Sequence, residues 1–295
     1  MFDYGQLAAL AAIVRTGSFD RAAGQLGVTP SAISQRLKLL EERVGAALVV
    51  RGQPCVATPA GARLCRHAED VGLLERALRA DLGGFAAGAS PPTLRIAVNA
   101  DSLATWFIEA MAATEGVLYD LVLDDQDHSA DWLRRGEVAA AVTATGGGVQ
   151  GCGSRRLGAL RYLATATPDF VRRWFPSGID APALAQAPCL RFNQKDELQA
   201  RWLEGVVGRP LALPTHWLPA SQAFIDGALA GLGWGMNPEV LARPHLDAGR
   251  LVELLPDRPL DVSLTWQWSR AIEAALGDVT RAVVTTARRR LVPEA

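Results

Sequence analysis

Carboxylates and hydroxyls gather where strands are expected to end. Residues 94–98 read as a strand followed by Asn99-Ala100-Asp101-Ser102, and residues 118–123 as a strand followed by Asp124-Asp125-Gln126-Asp127-His128. A third strand, residues 138–143, ends at Thr143 with Thr145 just beyond. Asp101, Asp124, Asp125 and Asp127 can pair with an ammonium or guanidinium group, an interaction that gives orientation as well as affinity. Ser221 heads a predicted helix, where a hydroxyl and nearby backbone N–H groups suit an anion. Each aspartate can equally cap a helix or close a turn. Asp101 and Asp127, which directly precede predicted helices, are the most open to that alternative.

Other chemistry finds little support. Cys55, Cys65, Cys152 and Cys189 are widely spaced, form no CxxC pair and have no histidine cluster beside them. They read as free thiols of a reducing compartment, and no metal site is expected. Gly146-Gly147-Gly148 lacks the GK[ST] of a phosphate loop, and Gly231-x-Gly-x-Gly reads as a tight turn before a strand. No GxSxG or HExxH motif is present. His128 reads as a capping or hydrogen-bonding residue, and Lys195 has no motif around it that would support a Schiff base. An enzyme is not expected, and no cofactor.

The first sixty residues carry a different pattern. Ser18 is a good N-cap for a helix that buries Phe19, Ala22, Ala23 and Leu26, and Gly27 ends it. Thr29 can cap the next helix with Pro30 at its first position. That helix buries Ile33, Leu37, Leu40 and Val44. Two short helices, a glycine-containing turn and a third amphipathic helix make a helix-turn-helix. Ser31, Ser34 and Gln35 lie off the apolar stripe and can reach base edges; glutamine suits bidentate pairing with adenine. Arg36, Lys38 and Arg51 suit phosphate contacts that set register. Residues 48–50 and 55–57, joined by Gly52-Gln53-Pro54, read as a two-stranded wing with Arg51 at its tip, positioned for a minor groove or the backbone.

Thr58-Pro59 repeats the cap-plus-proline device and starts another helix. Leu64, Val71, Leu78 and Phe85 recur every seven residues, with Leu74 between and Leu82 flanking, a stripe that suits packing on a second helix. His67 and Asp81 interrupt it, so an ideal coiled coil is not expected. Gly83-Gly84 and residues 88–92 end the helix in a hinge.

Beyond residue 93 strands and helices alternate, which predicts a parallel α/β sheet. Helices are expected at 103–113, 130–135, 181–186, 198–207 and 223–229, and one long helix at 272–290. Further strands are expected at 157–165, 188–192, 211–213 and 262–268.

The chain has 295 residues, which at about 150 per domain suggests two domains. Its net charge of −1 excludes a wholesale basic coat, yet the charge is unevenly placed. The first sixty residues hold six basic and four acidic side chains, a net +2, leaving −3 for the rest. All eight tryptophans lie beyond residue 100. The N-terminus has no basic segment of the signal-peptide kind, and no stretch has the length and apolarity of a membrane span, so a cytoplasmic location is expected.

Residues 18–61 carry a specific resemblance. Ser18-Phe19, Ala22-Ala23, Leu26 to Gln35, Leu39-Leu40-Glu41, Gly45, Leu48-Val49, Arg51 and Thr58-Pro59-Ala60-Gly61 resemble the N-terminal domain of LysR-type transcriptional regulators. The resemblance implies that Pro30, Ser34 and Gln35 face an operator. It also implies dimerisation through the linker helix, and a C-terminal effector domain of two α/β lobes like those of periplasmic binding proteins. The expected organisation is a winged helix-turn-helix at 1–58, a linker helix and hinge at 59–90, and an effector domain at 91–295. Within the last, lobe I would take about 91–163 and 267–295 and lobe II about 164–266. In a cleft between such lobes, aspartates on one side and hydroxyls and helix starts on the other suit a basic amino acid.

Residues 98–106, 124–128, 160–162, 192–196 and 231–236 resemble a narrower subgroup, the lysine- and arginine-responsive activators of amino-acid export, also called chromosome-initiation-inhibitor-like. The expected effector contacts are Asp101, Ser102, Trp106, Asp124, Asp127, His128, Thr143 and Ser221. The expected partners are double-stranded promoter DNA, lysine or arginine, a second copy or a tetramer of the chain, and RNA polymerase, with no membrane. Two alternatives remain: a regulator answering to another small metabolite, and an architectural or replication-origin DNA binder.

Overall fold

The computed structural model describes residues 2–81, 91–123, 129–144 and 147–293. The chain forms two compact units, Met1–Leu94 with Gly116–Leu118, and Arg95–Glu115 with Tyr119–Ala295.

In the first unit, α1 (Tyr4–Thr16), α2 (Phe19–Leu26) and α3 (Pro30–Val44) each start on a side-chain cap. Asp3, Ser18 and Thr29 accept from the backbone N–H groups of Gln6, Arg21 and Ala32, supplying partners that the first helical turn lacks. Gly27 takes the left-handed conformation, φ 63°, that closes α2 and aims the chain into α3. Leu7, Leu10, Ile13, Ala22, Ile33, Leu37, Leu40 and Leu48 form the buried core between the helices.

The wing is a pair of antiparallel two-residue strands, β1 (Val49–Val50) and β2 (Val56–Ala57). It is tied down at both ends. Glu41 on α3 accepts from the Leu48 N–H at 2.8 Å. Thr58 donates its hydroxyl to the Ala47 carbonyl at 2.8 Å and accepts from the Gly61 N–H at 3.1 Å. That second bond caps α4 (Pro59–Asp81). α4 lies so close to the wing that a Cβ at Gly61 would stand 1.9 Å from the Leu48 carbonyl oxygen.

The heptad stripe of α4 divides along its length. Leu64 packs against the core of its own unit together with Cys65 and Ala68. Leu74 and Leu78 are exposed at 41% and 58%. Leu73, off the stripe, is buried. Leu82, the Gly83-Gly84 break and Phe85 lie outside the described residues.

The second unit continues β3 (Thr93–Val98) into a helical run of three parts: α5 (Ala100–Ser102), a π-helical stretch Leu103–Phe107, and α6 (Ile108–Ala112). Then follow β4 (Leu118–Leu123), α7 (Ser129–Arg134), β5 (Ala140–Thr143), β6 (Cys152–Ala166), α8 (Pro168–Trp174), α9 (Ala181–Gln186) and β7 (Cys189–Arg191). The chain goes on through α10 (Leu198–Val207), β8 (Thr215–Trp217), α11 (Ser221–Leu229), β9 (Gly235–Pro238), α12 (Glu239–Asp247), β10 (Val252–Glu253), β11 (Leu260–Ser269) and α13 (Gly277–Arg290).

The main sheet has seven strands in the order β10-β6-β11-β5-β3-β4, with β9 also on β6. It is mixed, which corrects the expectation of a parallel sheet. β3 and β5 are parallel, but the long strands β6 and β11 run antiparallel to one another, and β11 runs antiparallel to β5. Alternation along the sequence conceals this because β6 meets its partner β11 only after the whole block from α8 to β10. β6 and β11 serve both halves of the unit: their one end carries β5 and β3, and the other end of β6 carries β9 and β10. A register shift at Leu264/Thr265 marks the change.

Two further expectations are corrected. The strand placed at 211–213 forms at Thr215–Trp217 instead, where Thr215 pairs with Cys189 in a small parallel sheet. The long helix placed at 272–290 begins as two 3-10 turns, Arg270–Ile272 and Ala274–Leu276, before α13.

Two glycine substitutions separate the close wing–helix contact from helix propensity in the first unit. Gly61→Ala forces α4 off Leu48 and is expected to destabilise the first unit by about 1–3 kcal/mol. Gly24→Ala, in the interior of α2 with open space around it, is expected to stabilise it by about 0.5–1 kcal/mol. Amide hydrogen exchange of residues 2–81 in the intact protein reads both signs.

Candidate functional site

On α3 the side chains of Ser31, Ser34, Gln35 and Lys38 share one face, opposite Ile33, Leu37 and Leu40 in the core. Pro30, Ser31, Gln35 and Lys38 are exposed and Ser34 half-buried. Lys38 lies 3.8 Å from Glu42, one turn on, a solvated pair. Arg51, exposed at the wing, holds its guanidinium 5.2 Å above the Phe19 ring, so the start of α2 positions the wing's cation. Arg36 stands apart from the Ser31–Lys38 face. It is half-buried, and a Cβ at Gly5, in the first turn of α1, would lie 3.9 Å from its guanidinium carbon. Six of the seven sequence-predicted nucleic-acid contacts therefore lie on α3, and the seventh lies at the wing.

The second constellation centres on Asp101. Asn99 is the N-cap, its side-chain oxygen accepting from the Ser102 N–H at 2.7 Å. Asp101 is thereby relieved of capping and turns its carboxylate to two hydroxyls. One oxygen accepts from Tyr162 at 2.8 Å and the other from Ser221 at 2.6 Å. Tyr162 comes from the middle of β6 and is fully buried. Burial pushes its hydroxyl well above the usual tyrosine range, and the Asp101 charge adds to the shift, so it remains an O–H donor. Ser221 is the first residue of α11 and is buried at 8% exposure. Its hydroxyl, expected to serve an anion, donates to a carboxylate instead.

Ser102, beside Asp101, is fully buried, and its hydroxyl has no partner among the described residues; the same holds for the amide nitrogen of Asn99. Buried polar atoms without partners are costly in a folded chain and mark a place where another polar group belongs.

The remaining predicted effector contacts do not join this cluster. Trp106 is 1% exposed and packs edge-on against Phe107, ring centroids 5.5 Å apart, as a core residue. Thr143 is fully buried in β5 and accepts from the Gln267 side chain at 2.9 Å, and Gln267 also accepts from the Val149 N–H. Asp124, Asp127 and His128 lie outside the described residues, as do Asp125 and Thr145. Sequence alone assigned no role to Tyr162, which reads as a core aromatic of an apolar strand. It likewise missed Asn237, fully buried, which donates to Thr165 at 2.9 Å and leaves its side-chain oxygen without a partner among the described residues.

Among the described residues no three His, Cys, Asp or Glu side chains are placed to hold a metal ion. The four cysteines are free thiols. Burial pushes the Cys65 thiol up to about 11, with Glu69 adding to it, and burial raises Cys152 and Cys189 as well, so these thiols are poor nucleophiles. No helix among the described residues is long and apolar enough to cross a membrane.

Comparison with known proteins places both constellations in context. Residues 4–62 match the family described as bacterial regulatory helix-turn-helix protein, lysR family, and residues 87–290 match the LysR substrate binding domain. The chain is 45% identical over 296 residues to the HTH-type transcriptional regulator ArgP of Pseudomonas fluorescens (strain Pf0-1), covering 99% of each. It is 46% identical over 286 residues to the regulator LysG of Mycobacterium tuberculosis (strain ATCC 25618 / H37Rv), covering 96% of this chain and 94% of the relative. The crystal structure of ArgP from Mycobacterium tuberculosis superposes with a TM-score of 0.81 at 43% identity, covering 100% of both chains. Full-length LysG from Corynebacterium glutamicum with bound effector Arg superposes at 0.69 and 38% identity, covering 99% of this chain and 100% of that one.

Tyr162→Phe removes one of the two hydroxyl donors from Asp101 and is expected to destabilise the second unit by about 1–3 kcal/mol. All eight tryptophans lie in that unit, so urea unfolding followed by tryptophan fluorescence reads the loss directly.

Proposed function

Because the chain belongs to the lysR family of bacterial regulatory helix-turn-helix proteins, we propose that it is a transcriptional regulator whose DNA binding answers to arginine or lysine held beside Asp101. The observation that carries the effector class is the buried-edge carboxylate of Asp101, oriented by Tyr162 and Ser221 next to the unsatisfied Ser102 hydroxyl. A carboxylate fixed in this way favours a ligand that brings an ammonium or guanidinium group. The likeness to LysG, whose structure holds Arg, points the same way.

In this reading residues 1–58 bind promoter DNA, 59–90 link and dimerise, and 91–295 receive the effector. One lobe is formed by about 91–163 with 267–295 and the other by about 164–266, with Asp101 and Ser221 on opposite lobes. We place Ser102 beside the effector and keep Asp124, Asp127 and His128 as its expected further contacts, with Trp106 and Thr143 supporting the site from the core. The exposed Leu74 and Leu78 of α4 supply the apolar seam for a second copy, giving a dimer or tetramer. A two-fold pair of α3 helices then meets a pseudo-palindrome. The target is a gene for basic amino-acid export, activated together with RNA polymerase in the cytoplasm.

A thermal-shift screen of the twenty amino acids tests the effector class. A ligand of the native state raises the melting temperature, by about 2.7 kcal/mol of stability at one hundred times its Kd. Arginine and lysine are expected to raise it and the neutral amino acids not; a shift confined to neutral amino acids would reject the reading. For the DNA-binding face, Gln35→Ala is expected to lose about 1–3 kcal/mol of discrimination between operator and random duplex in competition anisotropy. An equal loss on both duplexes would remove Gln35 from base reading. Lys38→Ala is expected to weaken both alike and to lower the salt slope by about one unit.

A further inference from the structure

We propose that Ser221 is a latch: its hydroxyl occupies the Asp101 carboxylate in the free protein and is displaced when the effector's cation takes that oxygen. The proposal rests on the reading of Asp101 as the partner of a cationic effector, and it gives Ser221 the opposite role from an effector contact.

Three features carry it. First, the two residues belong to different packing groups. Asp101 starts the helical run whose Phe107 packs on Trp266 of β11, ring centroids 6.3 Å apart. Ser221 starts α11, whose Phe224, Ile225 and Ala228 form an apolar cluster with Leu190 of β7, Ala242 of α12 and Leu251. The 2.6 Å bond between Ser221 and Asp101 therefore joins two separately packed halves across the long crossover strands.

Second, Tyr162 and Ser221 are unequal as donors to Asp101. Tyr162 is fully buried on β6, a strand shared by both halves, and it stays in place whichever way the halves move. Ser221 sits at a helix start whose N-cap, Ala220, supplies no side-chain bond, so its position is not locked by capping. One donor orients the carboxylate and the other can leave.

Third, the exchange replaces a dipole with a full charge. The Ser221 hydroxyl brings one hydrogen bond to the carboxylate, whereas an ammonium or guanidinium adds the opposite charge, and a guanidinium can pair with both oxygens. A neutral ligand offers no such gain. The bond exists in one state and is absent in the other, so the effector acquires the differential affinity for two arrangements that any ligand-driven switch requires.

The test uses the full-length protein with arginine as the probe. Ser221→Ala removes the latch and is expected to bind arginine three- to tenfold more tightly by calorimetry. The free variant is expected to melt below the free wild type, whereas the arginine-saturated forms melt together, because the bound state has no latch to lose. Ser221→Cys, close in shape but a weak donor, is expected to fall between the two and serves if the alanine variant does not fold. Unchanged or weaker arginine binding by the variants, with the saturated forms as far apart in melting temperature as the free ones, overturns the latch and leaves Ser221 as a structural or effector-contacting residue. Failure of the wild type to bind either arginine or lysine overturns the effector reading itself, and the latch with it.

Discussion

A carboxylate turned inward needs hydrogen-bond donors, and Asp101 obtains two of them from separate parts of the chain. Asn99 takes over the capping role, Tyr162 brings a hydroxyl from the shared strand β6, and Ser221 brings another from α11. Much of the second unit can be understood from this requirement. β6 must run unbroken from one half to the other to place Tyr162 between them. α11 must begin where its first residue can reach back to the end of β3. The cost of leaving such a group unpaired is large enough to hold these elements in register.

The first unit depends on a different constraint, the close approach of helix to wing. Gly61 lets α4 lie against the Leu48 carbonyl, and Thr58 and Glu41 tie the same few residues together. α3 and α4 are thus fixed to one wing. The stripe on α4 is shared between two purposes along its length: Leu64 belongs to this core, and Leu74 and Leu78 face outward. Arg51 shows the same economy, since Phe19 holds the wing's cation in place at the surface.

The first unit was legible because its signals are local. Ser18, Gly27 and the Thr29-Pro30 pair act within a turn of where they stand, and each does in the structure what its type predicts. The second unit was legible only in part. β4, α9 and α10 form over the predicted residues, because strand and helix periodicity are local as well. The mixed sheet was hidden because the partners β6 and β11 are far apart in the chain, and pairing direction leaves no mark on either strand alone. The strand at 215–217 was missed for a similar reason: Thr215, His216 and Trp217 carry little apolar pattern, and it is the β7 edge that makes them a strand. At the site, Asp101 and Ser221 were visible as residue types at element ends, but their meeting was not. Tyr162 was visible as part of a motif but received no role, because an aromatic in an apolar strand looks like core until its hydroxyl is seen to face a carboxylate.

The central claim is that the negative charge of Asp101 recognises the effector. Calorimetric titration of arginine into Asp101→Asn, a variant that keeps the size of the side chain and removes the charge, tests it most directly. The account predicts at least a tenfold loss of arginine affinity, about 1.4 kcal/mol or more, with tryptophan fluorescence showing the second unit still folded. Arginine affinity equal to that of the wild type would contradict it.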